Sequence, residues 1–124
     1  MPEQKGAYVV DLADADAVGG VLKLANPEGA DLIITRLILN VTTASTAACT
    51  VDAGVAANGT TNADNLLDGL DVNTAAGVFD NIENQGTNGK SAVKWGSSQY
   101  LNISKASGAA AGLVGKAYIQ WVRI

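Results

Sequence analysis

Apolar residues along this chain recur mostly at every second position, in short runs separated by clusters of glycine, asparagine, threonine and serine. A period of two belongs to strands with one buried face. Gly6 to Leu12 reads as a first strand, with Tyr8, Val10 and Leu12 on one face and Val9 and Asp11 on the other. After the Gly19-Gly20 break a short strand covers Val21 to Leu24, and Asn26-Pro27-Glu28-Gly29 is a turn, because proline presets φ and glycine tolerates the exit. Asp31 to Thr42 is long and dense in β-branched residues. Strict alternation puts Ile33, Thr35, Leu37, Leu39 and Val41 opposite Leu32, Ile34, Arg36, Ile38 and Asn40, which predicts a central strand. Ala47 to Val55 alternates cleanly, with Ala47, Cys49, Val51, Ala53 and Val55 inward and Ala48, Thr50, Asp52 and Gly54 outward. These two runs read as an antiparallel hairpin, and the small inner residues call for another sheet or a bulky side chain close above them.

Beyond the polar loop at 58–64, Leu66, Leu67 and Leu70 have the spacing of one helical turn. Gly69 in its middle costs about 1 kcal/mol relative to alanine, so the segment reads as extended or irregular. Val78-Phe79, Ala92 to Trp95, Gln99 to Lys105 and Leu113 to Ile124 supply further strands, with Asn81 to Lys90 as a polar loop and Ser107 to Gly112 as a turn. In the last strand Tyr118, Gln120 and Val122 face away from Ala117, Ile119 and Trp121. Strands spaced by about ten residues, without a helix longer than a turn, predict an all-β fold. It is an antiparallel β-sandwich or jelly roll of about seven to nine strands. Residues 1–124 form a single domain, with residues 1–6 expected to be flexible. No longer repeat suggests a solenoid or propeller.

Composition narrows the function more than it names it. Of 124 residues 48% are hydrophobic and 16% charged, which suits a folded chain, and no run approaches the roughly 18 apolar residues of a membrane span. Much of the apolar count is alanine and the aromatics are only Tyr8, Phe79, Trp95, Tyr100, Tyr118 and Trp121. The core is therefore modest, and association with further copies is an expected source of stability. The net charge is −4 and the eight basic residues are scattered, which disfavours nucleic acid as a partner. The N-terminal residues lack the apolar segment of a secretory signal, so the expected place of synthesis is a cytoplasm.

Candidate chemistry is sparse. There is no histidine, so nucleophilic triads lack their base, and the single Cys49 permits no intrachain disulfide and no thiolate metal cluster. The densest acidic stretch is Asp64, Asp68 and Asp71, with Asn62, Asn65 and Asn73 interleaved and Asp80 beyond. Such oxygen ligands suit calcium, but the spacing departs from the EF-hand loop, and turn-forming Asx residues account for it. Trp95, Tyr100, Tyr118 and Trp121 form either an aromatic platform for sugar or part of the core. Asn40, Asn58 and Asn102 head glycosylation sequons that carry no meaning without a secretory route, and Gly108 to Gly112 has GxxxG spacing outside any membrane span. No catalytic, cofactor-binding or metal-ligating residue is assigned, and no cofactor is expected.

The run Ile38-Leu-Asn-Val-Thr-Thr-Ala-Ser-Thr-Ala-Ala-Cys-Thr-Val-Asp-Ala-Gly-Val-Ala, with Asp64-Asn-Leu-Leu-Asp-Gly-Leu-Asp-Val-Asn, Val78-Phe-Asp-Asn and Gly112-Leu-Val-Gly-Lys-Ala-Tyr-Ile, resembles small structural proteins of tailed bacteriophages. These are decoration or fibre-base components of the head. The resemblance implies a non-enzymatic β-sandwich, trimeric, bound to the major capsid protein on the virion surface and made in the host cytoplasm. The expectation from another class is a carbohydrate-binding module, calcium-dependent, that uses the aromatics and the Asp64 to Asp80 acids.

Overall fold

The structure, a computed structural model, describes residues 3–124. Nine strands run β1 (Lys5–Asp11), β2 (Leu22–Ala25), β3 (Leu32–Thr43), β4 (Cys49–Ala56), β5 (Leu67–Asp71), β6 (Gly77–Asp80), β7 (Val93–Trp95), β8 (Tyr100–Gly108) and β9 (Val114–Arg123). All pairings are antiparallel. One sheet has the order β1-β9-β3-β6, with β7 beside β6 on the far edge of β3, and the other has the order β2-β8-β4-β5. With β7 set aside, this interleaving is that of a jelly roll, in which most successive strands cross between sheets. Lys5 and Gly6, within the segment expected to be flexible, pair with Val122 and Trp121, while Met1 and Pro2 lie outside the described residues.

β3 is central, as its pattern predicts, but it does not form a hairpin with β4. The two lie in different sheets, and the connection through Ser45 and Thr46 is fixed instead by backbone bonds to Val72 and Ala111. The expected alternation along β3 also changes. The register to β9 slips at Thr35 and again at Thr42, and each slip is a β-bulge that moves the following residues to the other face. Leu32 and Ile34 are thereby buried on the same side as Leu37, Leu39 and Val41, while Thr35 and Arg36 are consecutive exposed residues. Both bulged threonines turn a hydroxyl onto β9, Thr35 Oγ1 to the Gln120 carbonyl at 3.3 Å and Thr42 Oγ1 to that of Val114 at 3.2 Å.

Among the described residues β4 and β5 are the one hairpin between strands adjacent in sequence. Val51 faces Leu70 while Ala53 faces Leu67, so β5 carries an extra residue. Gly69 sits there with φ 78°, which glycine adopts without strain, and its N–H donates to Asp52 Oδ1 at 2.8 Å. The glycine that weakens a helix reading is the one a bulged strand requires. Between the sheets lie Leu32, Ile34, Leu37, Leu39, Leu66, Leu101, Ile103, Ile119 and the indole of Trp95, all fully buried.

Candidate interaction surface

The two sheets differ in what covers their outer faces. On the four-stranded sheet the central outward positions of β4 and β8 are closed off, and Asp52, Gly54, Asn102 and Ser104 are all buried, while Thr50 and Ser107 at one end stay open to water. Asn102 Nδ2 donates to the carbonyls of Asn58 and Thr61, at 2.9 and 3.0 Å. Asn65 holds Val55 through both its N–H and its carbonyl. A Cβ added to Gly54 would stand 2.4 Å from Asn65 Oδ1, so the loop lies directly on the strand. From the other side the Gly19 N–H reaches Ser104 Oγ at 2.8 Å. Polar loops thus form a third layer, and the clean in-and-out alternation expected for β4 is lost because its outer side is roofed.

Among the described residues the five-stranded sheet has no such layer. Its register sets Val9, Tyr118 and Ile38 in one row across β1, β9 and β3, with Asp11, Lys116, Asn40 and Val78 in the next. Val9, Val78 and Val114 are 57%, 68% and 52% exposed. Two shallow grooves open on this side. One, of about 420 Å³, lies among Asp11, Asn40, Thr42, Val114, Lys116 and Tyr118. The other, of about 470 Å³, lies among Lys5, Ala7, Thr35, Gln120, Trp121 and Val122. Most charges here pair with one another, Lys116 with Asp11 at 2.5 Å, Lys94 with Asp31 at 3.5 Å and Arg36 with Asp80 at 2.6 Å, while Lys5 makes no ion pair among the described residues. What remains is a face of low net charge with apolar side chains in water, the kind of surface that marks contact sites.

The candidate ligands of the sequence are used within the fold. Asp64 and Asp68 hold Asn88, Asp71 caps the N–H groups of Asn73 and Thr74, Asn62 binds Asp52, and Asn73 donates to the Ser45 carbonyl. The Asp71 contacts are of the local turn-forming kind, and the others tie together segments 10 to 28 residues apart. Among the described residues no three of histidine, cysteine, aspartate and glutamate converge on a point. The proposed aromatic platform is not assembled, since Trp95 and Trp121 lie between the sheets while Tyr118 faces outward. Trp121 stacks on Tyr8 with centroids 5.8 Å apart, and Trp95 meets the same ring edge-on at 6.4 Å. The Tyr8 hydroxyl donates to Glu28, whose other oxygen accepts from Arg123 at 2.5 Å. Burial first, then the bond to the Glu28 carboxylate, raises the Tyr8 pKa above its ordinary value. Cys49 is buried, and that burial pushes its thiol pKa up, away from a reactive thiolate.

Asp80 joins a local turn to an ion pair that only the fold reveals. Its Oδ1 accepts from the N–H groups of Ile82 and Glu83, and its Oδ2 from Arg36. The bond from the Glu83 amide, followed by the guanidinium, holds its pKa below the usual carboxylate value. A pKa lowered by folding adds stability above the unfolded value of about 3.9, and that stability is lost as pH falls through the folded pKa. Asp80→Asn is therefore expected to cost about 1 kcal/mol at pH 7, since Arg36 is half exposed and the pair is partly screened. In urea titrations at pH 7 and pH 3 the gap between wild type and variant should shrink at the lower pH; a gap independent of pH would contradict this assignment.

No protein-family profile, curated protein or solved structure matches the chain.

Proposed function

We propose that this protein is a non-enzymatic building block that works by self-association and by lying on a larger shell. On the resemblance of its sequence, it is a head decoration or fibre-base component of a tailed bacteriophage. The observation that carries the reading is the contrast between the two outer faces. One is roofed over its centre by its own loops, and the other keeps Val9, Ile38, Val78, Val114 and Tyr118 on a surface with two shallow grooves. A face of that kind suits a broad, flat contact, whereas a small-molecule site needs concavity and convergent polar groups. The sequence points toward association through the runs Asp31 to Thr42 and Leu113 to Ile124. The bulges sharpen this, because most of those apolar side chains turn inward and Ile33, Ile38, Tyr118 and Val122 remain outside.

Two measurements test the reading. Light scattering on a sizing column should give a mass above 12.6 kDa at micromolar concentration, and the protein should cosediment with purified empty heads. A monomer that ignores the heads would sink the reading. A response on a glycan array, or a calcium-dependent rise in melting temperature, would favour the carbohydrate-binding module instead.

A further inference from the structure

Resting on the reading that the protein associates with itself, we infer that the contact between copies is an antiparallel pairing of β1 with β1 of a second copy, closing as a two-fold dimer. β1 is the edge of the five-stranded sheet and β9 is its neighbour there. Leu12 N–H donates to the Gly115 carbonyl and Arg123 N–H to that of Gln4, so the even-numbered positions face β9. In an antiparallel ladder successive residues send their N–H and C=O groups to opposite edges. Lys5, Ala7, Val9 and Asp11 therefore turn theirs to the open edge, and all four are exposed. A row of this kind is a template for another strand. β1 carries no proline and its register to β9 is unbroken over seven residues, so neither a ring nor a bulge blocks approach.

The segment Lys5-Gly-Ala-Tyr-Val-Val-Asp11 also complements itself. Run antiparallel about Tyr8, it sets Lys5 opposite Asp11 of the other copy, and Ala7 opposite Val9. These are the positions with outward backbone groups, so four facing pairs would exchange about eight hydrogen bonds. A shift by one residue breaks that matching of donors and acceptors, and an in-register parallel arrangement sets lysine on lysine and aspartate on aspartate. Asp11 is 79% exposed even while one oxygen holds Lys116, so its carboxylate can bridge both lysines. At the sheet's far edge β6 has four residues and β7 three, with residues 81–92 between them, so no second long edge invites a filament. Pairing also joins the two bare outer faces into one surface. A two-fold contact leaves no place for a third copy and so departs from the trimer that the resemblance implies.

The test is light scattering on a sizing column from about 1 to 200 µM for wild type and four variants. Wild type should weigh twice 12.6 kDa. Ala7→Pro and Val9→Pro each remove an N–H that β9 does not use, so both should stay folded by circular dichroism and become monomeric. Lys5→Glu and Asp11→Lys each set like charges opposite at two symmetric places and should weaken the dimer roughly 10- to 100-fold. Mixed in equal amounts, those two variants should pair with each other, since every facing position is again of opposite sign. Wild-type monomer at all concentrations overturns both self-association and this contact. An oligomer of trimer mass, or one that the prolines and charge reversals leave unchanged, overturns the β1 contact alone.

Discussion

Trp95→Ala is expected to lower stability by about 3 to 5 kcal/mol, a large share of the roughly 5 to 15 kcal/mol of a domain this size. The indole is fully buried, meets Tyr8 edge-on and donates its Nε1–H to the Gln99 carbonyl at 3.1 Å. β7 has only three residues, Val93–Trp95, to hold it to β3, so no other large side chain of that strand is fully buried. With a urea m-value near 2 kcal/mol/M, the unfolding midpoint should fall by about 2 M. Trp95→Phe, which keeps a smaller aromatic ring and loses the donor, should fall by less than half as much. Equal losses for both would mean that the Gln99 bond, and not ring burial, carries the effect.

Asn81→Ala should be nearly as damaging, although it removes a polar residue from a polar loop. β3 is paired with β7 at Leu32 to Ile34 and with β6 at Ile38 to Val41, and the edge between is left without a strand. Asn81 fills that gap. Its Oδ1 accepts the Leu37 N–H at 2.8 Å, and its Nδ2 donates to the carbonyls of Lys90 and Ser91 at 2.9 and 3.1 Å. Its side chain is fully buried, so alanine leaves three backbone groups without their partner, at about 1 kcal/mol or more each. A loss of about 3 kcal/mol in urea titration should appear together with faster hydrogen exchange at the Leu37 amide. Unchanged exchange there would show that water restores the bond and that the gap is not closed by Asn81.

The fold class was legible because period-two patterns and glycine-rich turns survive in the sequence without knowledge of contacts. Eight of the strands lie where alternation puts them, and the ninth, β5, lies where the pattern reads as extended or irregular. The pairing of strands was not legible, since adjacency in sequence suggested β3 with β4 while the jelly roll sends them to opposite sheets. The outer face was misread for a local reason. Thr35 and Thr42 look like ordinary strand residues, and only the register with β9 shows each as an extra residue that reverses what faces out. Asn81, and Asn26 with three carbonyls on its Nδ2, gave no sign because asparagine in a polar loop reads as turn chemistry. Among the acids from Asp64 to Asp80, Asp71 and Asp80 fit that same reading, each accepting the amides two and three residues on, whereas Asp64 and Asp68 reach across to Asn88.

One feature of the topology bears on how the molecule is made. β1 leaves the ribosome well before its neighbour β9, which spans Val114–Arg123, more than a hundred positions downstream. At roughly 5 to 20 residues per second the first strand waits on the order of 5 to 20 seconds with both edges unsatisfied. Nascent chains on one crowded messenger would carry that same self-complementary segment side by side. Slow codons, heat or strong overexpression should therefore tip newly made protein toward insoluble aggregates before the finished sheet can sequester it.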